Sequence, residues 1–235
     1  MAVPNELICS PASDHDLIYE HISQCARSEV VVHQDAILSY DLRPELPPVE
    51  DQHDAPLCSA YTGKNIKEYF LKESKLVLSP TFIYKHRTTA PLHGMYGRDV
   101  FNIMQQYGNL PQNIEIMDEP YTPAQYEIAK KYKIAQFARI KSVQGAKHAL
   151  VQIGPLYVSL PMYSHADKFW IQPPDFSEAD IVYGHAVLIV GFTLDTFIIR
   201  NSWGTDWGDR GYGYLPFSDW PLINECWVAF NLSDS

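Results

Sequence analysis

Apolar residues recur at helical spacing in the first half of the chain and in short unbroken runs in the second. Residues 13–27 (SDHDLIYEHISQCAR) set Ile18, Ile22, Cys25 and Ala26 on one face, with Ser13 or Asp14 able to cap, which predicts an amphipathic helix. Val30–Val32 reads as a short strand. Residues 40–57 carry prolines at 44, 47, 48 and 56, which fix φ and remove donors, so an extended irregular stretch is expected. Ser59 to Glu73 returns to helical spacing with Ile66, Tyr69 and Phe70 on one face. Its interior Gly63 costs about 1 kcal/mol against alanine. Asp99–Tyr107 and Pro123–Lys131 predict two further helices. Beyond residue 134 the runs LYVSL, HAVLIVGF, TFIIR and CWVAF, separated by Gly, Pro and Asp, predict strands. Helices first and strands later define an α+β chain in two halves.

Composition narrows the class. Of 235 residues, 46% are hydrophobic and 20% charged, a globular balance rather than a disordered one. The net charge of −10 argues against a nucleic-acid partner. No run approaches the ~20 apolar residues of a membrane span. The start, MAVPNELICSPASDHD, has neither a basic nor an apolar signal region, so no membrane partner and a cytoplasmic location are expected. Cys9, Cys25, Cys58 and Cys226 form no Cys-x-x-Cys pair and are expected to be reduced thiols. The histidines show no metal spacing, so neither a metal nor a cofactor is expected, and the chain is read as a monomer.

Candidate chemistry concentrates in residues 183–217 and around residue 58. A hairpin of strands 185–192 and 196–200, turning at Thr193–Asp195, brings His185 and Asn201 within a residue or two of register. An Asn beside a His accepts a ring N–H and fixes the tautomer a catalytic imidazole needs. A histidine at a strand start is, alone, more often a structural residue. Cys58 stands where a proline-containing loop meets a helix start, and helix N-termini and imidazolium neighbours bring thiol pKa values down to about 3.5–7.5. Alone it reads as a buried inert thiol. Gln52, six positions earlier, is a neutral donor able to meet an oxyanion together with the Cys58 backbone N–H.

Taken together, the Gln-x5-Cys spacing of Gln52 and Cys58, the G-H-A-V run at 184–187 and N-S-W-G-T-D-W-G-D-R-G-Y-G-Y at 201–214 resemble the papain-like cysteine peptidases. DLRPELPPVEDQ (41–52), LSPTFIYKH (78–86) and residues 147–158 extend the resemblance over about residues 40–230. It implies a two-lobed fold: a helical lobe over about 50–133 and a twisted antiparallel, β-barrel-like lobe over about 134–230, with the cleft between them. It implies Cys58 as nucleophile, His185 as general base and acid, Asn201 as its orienting partner, and Gln52 in the oxyanion hole. Trp203 is implied as a shield over the His–Asn bond, or else is a core aromatic. Gly204, Gly208, Gly211 and Gly213 are read as turn or packing residues.

Departures from the pattern are Ala55, where many relatives carry a disulfide cysteine, and Pro56-Leu57 in place of Gly-Ser, with Tyr61 near a common aromatic site. The missing cystine fits the disulfide-poor branch of bacteria and large DNA viruses. The implied reaction is hydrolysis of a peptide or protein substrate through a thioester. The alternatives are an inactive relative that only binds peptides, and an acyltransferase using the same residues. Residues 1–38 precede the resemblance and are expected to be a leader on a peptidase domain of 39–235. That leader either restricts the cleft or completes the fold, and at this size it holds no core of its own.

Overall fold

The computed structural model describes residues 9–26, 37–72, 76–116, 119–164, 166–176 and 183–231. Val30–Val32 and Glu73 lie outside them. Helix α1 spans Tyr19–Ala26 and strand β1 Tyr40–Asp41. The helices α2 (Cys58–Leu71), α3 (Pro80–Lys85), α4 (Gly97–Gln106) and α5 (Pro123–Ala129) follow. Strand β2 (Ile134–Arg139), helix α6 (Val143–Gln152) and strands β3 (Leu156–Met162), β4 (Tyr183–Phe192), β5 (Thr196–Arg200), β6 (Tyr212–Pro216) and β7 (Glu225–Asn231) complete the order.

Helix α2 is buried on nearly all sides, from Cys58 to Tyr69. Gly63 explains how α4 approaches it. A Cβ there would stand 2.2 Å from Val100 Cγ1, so the glycine that weakens the helix locally permits its packing. The helix ends at Lys72, whose left-handed φ of 51° turns its N–H back onto the Glu68 carbonyl. Ser79 caps α3 by accepting the Phe82 N–H, and Thr122 with Gln125 forms a capping box on α5.

The strands form one sheet in the order β2-β7-β3-β4-β5-β6, with β1 beside β4; every ladder is antiparallel. The sheet stays open, with β2 and β6 as its edges. Strand β4 is covered on both faces, as its unbroken apolar run requires. Val187 and Ile189 enter a cluster with Trp170, Phe197 and Trp207, whereas Ala186, Leu188 and Val190 pack with Ile66, Val100 and Phe101 of the helices.

Two elements depart from the sequence pattern for identifiable reasons. Helix α1 starts at Tyr19 rather than residue 13, because Ser13 is spent on a turn: its hydroxyl accepts the His15 N–H and its carbonyl the Asp16 N–H. Helix α6 interrupts the β half. Its sequence, VQGAKHALVQ, is weakly periodic, yet Ser142 caps it through the Gly145 N–H and Glu20 of α1 accepts both the Lys141 and Ser142 N–H groups.

Candidate active site

Residues 50–52 run antiparallel to 202–204. The Gln52 N–H donates to the Ser202 carbonyl at 2.8 Å, and the Gly204 N–H donates to that of Glu50 at 3.1 Å, with Asp51 opposite Trp203. This short ladder carries Gln52 to the Asn201 end of the sheet. The Gln52 side chain is 2% exposed and held at both ends. Its Nε2 donates to the Ala55 carbonyl at 2.7 Å, and its Oε1 accepts the Ser202 hydroxyl at 2.6 Å.

His185 and Asn201 meet because β4 carries a bulge. At the hairpin tip Phe192 faces Phe197, but the register shifts between Ile189 and Gly191, so Leu188 faces Arg200. One step further, Asn201 lies opposite Val187, on the same face as His185 and diagonal to it. Without the extra residue Asn201 would stand opposite Leu188, on the other face. The result is a bond of 2.7 Å between His185 Nε2 and Asn201 Oδ1. An amide oxygen only accepts, so Nε2 carries the hydrogen and Nδ1 the lone pair. Asn201 Oδ1 also accepts the Ser202 N–H at 2.8 Å, and the Asn201 N–H donates to the Gly211 carbonyl at 2.9 Å. Trp203 stacks on the imidazole with centroids 4.4 Å apart, and Phe169 meets it edge-on at 5.2 Å.

Cys58 is the first residue of α2. It packs in the same cluster as Ala186 of β4, the residue after His185. Burial pushes its pKa above the ordinary thiol value, outweighing the N–H groups of Ala186, Ser59 and Cys58 that favour the thiolate. Burial at the helix start thus works against the thiolate expected there from sequence. A proton acceptor beside it is needed. Next to Cys58, the Ser59 hydroxyl hydrogen-bonds Tyr157 at 3.0 Å.

The structure thus brings His185, Asn201 and Trp203 into direct contact, links Gln52 to Asn201 through Ser202, and sets Cys58 against the residue that follows His185. Sequence reasoning missed Phe169 and the role of Ser202. Ser202 lay inside the N-S-W-G run, but nothing in that run says which side chain its hydroxyl reaches. Phe169, from a segment without periodicity, gave no signal.

The sheet thus carries a His–Asn pair, and the helix packed against it begins at a cysteine. Residues 39–231 match the family model described as papain family cysteine protease, and the chain belongs to that family. Among its relatives is an uncharacterized peptidase C1-like protein of Acanthamoeba polyphaga mimivirus, 31% identical over 128 residues, covering 46% of this chain and 41% of that one. Cathepsin K of Mus musculus is 26% identical over 193 residues, covering 76% and 58%. The chain thus spans between about two fifths and three fifths of the length of these curated relatives. In fold it is similar to xylellain, a cysteine protease from Xylella fastidiosa, with a TM-score of 0.76 at 20% identity over 98% of this chain and 97% of that one. Procathepsin L2 from Tenebrio molitor gives 0.69 at 19% identity, covering 97% and 78%.

Proposed function

We propose that the chain hydrolyses peptide bonds through a thioester on Cys58. His185 Nδ1 takes the thiol proton, and the sulfur attacks the scissile carbonyl carbon. The resulting oxyanion accepts hydrogen bonds from the Cys58 N–H and from the second N–H of Gln52 Nε2, whose first is on Ala55. As the C–N bond breaks, the imidazolium returns the proton to the leaving amine. Water then attacks the thioester with His185 as base, releasing the acid and restoring the thiol. Asn201, accepting the Nε2–H, holds the ring so that Nδ1 is the nitrogen that takes and returns the proton.

The observation that carries this reading is the 2.7 Å His185–Asn201 bond, made on the strand whose next residue, Ala186, packs in one cluster with Cys58. An epoxide thiol trap followed by intact-mass and peptide mapping tests it. One adduct on Cys58, absent from Cys58→Ala together with peptide turnover, is the expected result. An adduct on Cys9, Cys25 or Cys226, or turnover that survives in Cys58→Ala, overturns it. Added amines should compete poorly with water for the acyl group; efficient transfer to them would make the chain an acyltransferase.

The leader reading enters here as well. Arg98, at the start of α4, donates from its backbone to the Ser10 hydroxyl and from its guanidinium to Asp16 at 2.7 Å. Asp16 also lies 3.7 Å from Arg139 at the end of β2. Residues 9–26 thereby tie the helical part to the sheet. This supports a leader that packs across both halves; labelling of Cys58 tests whether it also restricts the cleft.

A further inference from the structure

Ser59 follows Cys58 in the first turn of α2 and is 2% exposed. Tyr157 of β3 is fully buried and shares one cluster with Cys58 and Ala186. Their hydroxyls meet at 3.0 Å, so a single bond joins two groups that each carry a hydrogen. The phenol is the more acidic of the two, so Tyr157 donates and Ser59 accepts, which leaves the serine hydrogen for a second acceptor. A serine in a helix commonly gives that hydrogen to the carbonyl four residues back. Here that carbonyl, of Ala55, already takes Gln52 Nε2 at 2.7 Å and the Leu57 N–H at 2.8 Å, one for each lone pair. Thr62, the next hydroxyl along the helix, is turned onto the Cys58 carbonyl at 2.9 Å. Of the acceptors that remain, the Cys58 sulfur gains most, since it becomes an anion during the proposed reaction. The balance at the thiol agrees. Against burial, which raises its pKa, stand the N–H groups of Ala186, Ser59 and Cys58 and this same Ser59 hydroxyl. Burial first, and the charge of Glu225 on β7 next, keep Tyr157 protonated well above the ordinary tyrosine range, with Cys58 and Cys9 acting in the same direction and Ser59 against them. Glu225 is itself engaged by the Gly97 N–H at 3.2 Å and the Trp227 indole N–H at 2.8 Å. His185 of β4, next to Ala186, is the titratable group on the sheet side.

We propose that the Ser59 hydroxyl donates a hydrogen bond to the Cys58 thiolate and that Tyr157 is the positioning residue that aims it. The proposal rests on the reading of Cys58 as nucleophile. When His185 takes the thiol proton, the buried sulfur becomes an anion, and a hydroxyl already in place meets that charge without burying a second one. The chain Tyr157–Ser59–Cys58 runs from donor to acceptor in one direction, and bonds in such a chain strengthen one another. Neither hydroxyl loses its proton at any step.

The test is the pH dependence of iodoacetamide alkylation, with the labelled residue mapped by mass, in the full chain, Ser59→Ala, Tyr157→Phe and the double variant, alongside the melting temperature. A hydrogen bond to a charged group is worth about one unit of pKa or more, so Ser59→Ala should move the alkylation midpoint of Cys58 up by about one pH unit. The acid limb of kcat/KM should move with it, and KM should stay near its wild-type value. Tyr157→Phe leaves the serine hydroxyl present but free to turn, so it should shift the midpoint the same way by less, and it serves if Ser59→Ala does not fold. In the Ser59→Ala background Tyr157→Phe should add no shift, because the group it positions is gone. Stability should behave differently. Ser59→Ala strands the buried Tyr157 hydroxyl and should lower the melting temperature, and adding Tyr157→Phe removes that hydroxyl and should recover part of the loss. A pair that only packs would give the same melting pattern with the wild-type midpoint in every variant, and that result overturns the proposal. Equal shifts from Tyr157→Phe with and without Ser59 would overturn the role of Tyr157. Alkylation that maps to another cysteine in the wild type would instead overturn the reading of Cys58 itself.

Discussion

Around Cys58 the buried polar partners Gln52, Asn201 and Ser202 carry no charge, and each is held by hydrogen bonds alone. Six residues along the same helix, Lys64 is fully buried with its Nζ 2.7 Å from one Glu50 oxygen and 2.9 Å from Glu68. Glu68 in turn accepts the Leu78 N–H, and burial still raises its pKa against the pull of Lys64. Both regions draw on the strip 50–52, which gives Glu50 to one and Gln52 to the other. The difference follows from what each must do. A fixed charge in a low-dielectric site biases every neighbouring protonation state, which suits a permanent tie between α2 and the loop before it. A site that creates a thiolate, an imidazolium and an oxyanion in turn does better with dipoles already in place.

The largest effect expected at the uncharged end is that of His185→Ala. Turnover should fall by about 10³-fold or more, since the proton has no acceptor. The pH profile of Cys58 alkylation sharpens this. Burial raises the thiol pKa, so without an imidazole the thiolate appears only as pH climbs above the ordinary thiol value of about 8.5. Wild type should alkylate at neutral pH and His185→Ala only in alkali. Equal profiles for the two would remove His185 from the proton path.

At the charged end the loss should appear in stability. Lys64→Met leaves Glu68 buried without its cation, and breaking a buried pair this way costs about 3–5 kcal/mol. The denaturant midpoint should fall accordingly, while kcat per titrated Cys58 in the folded fraction changes little. Lys64→Gln, keeping a donor, should fall less and serves if the methionine variant does not fold. A kcat loss matching that of Gln52→Ala would mean that the two regions act as one. Gln52→Ala should show the reverse: kcat lower by about 10²–10³ with a modest change in midpoint.

Much of this was legible in the chain. The apolar run of 185–192 predicted a strand, and it is one, buried along its length. The hairpin arithmetic put Asn201 within two residues of His185, and the observed register, Leu188 facing Arg200, keeps it there. What the pattern could not supply is the bulge. An alternation of apolar residues on two equally buried faces does not reveal a slip of one, yet that slip decides which face Asn201 joins. Capping of α6 by Ser142 and Glu20 was hidden for a related reason, since one of its partners lies over a hundred positions away. Nor could spacing foresee that desolvation of Cys58 would outweigh its helix start.

The smallest effect should come from the leader, and it tests whether the uncharged site is reached freely. Asp16 is 6% exposed in its side chain and bridges Arg98 and Arg139. Both arginines also lie over the Trp227 ring, at 5.6 and 5.5 Å from its centroid. Asp16→Asn keeps the shape and removes the charge, so two guanidiniums lose their shared anion while Ser10 and Pro11 still hold Arg98. If residues 9–16 cover the approach to Cys58, the loosened segment should raise the rate of epoxide labelling several-fold, and a chain beginning at Ser39 should be labelled faster still. The melting temperature should fall in both, further in the shorter chain, because the Glu20 contacts to Ser142 are lost only there. A lower melting temperature with unchanged labelling would assign the segment to packing alone. Neither change would mean that the Asp16 ion pairs, partly open to solvent on the arginine side, contribute as little as most surface pairs do.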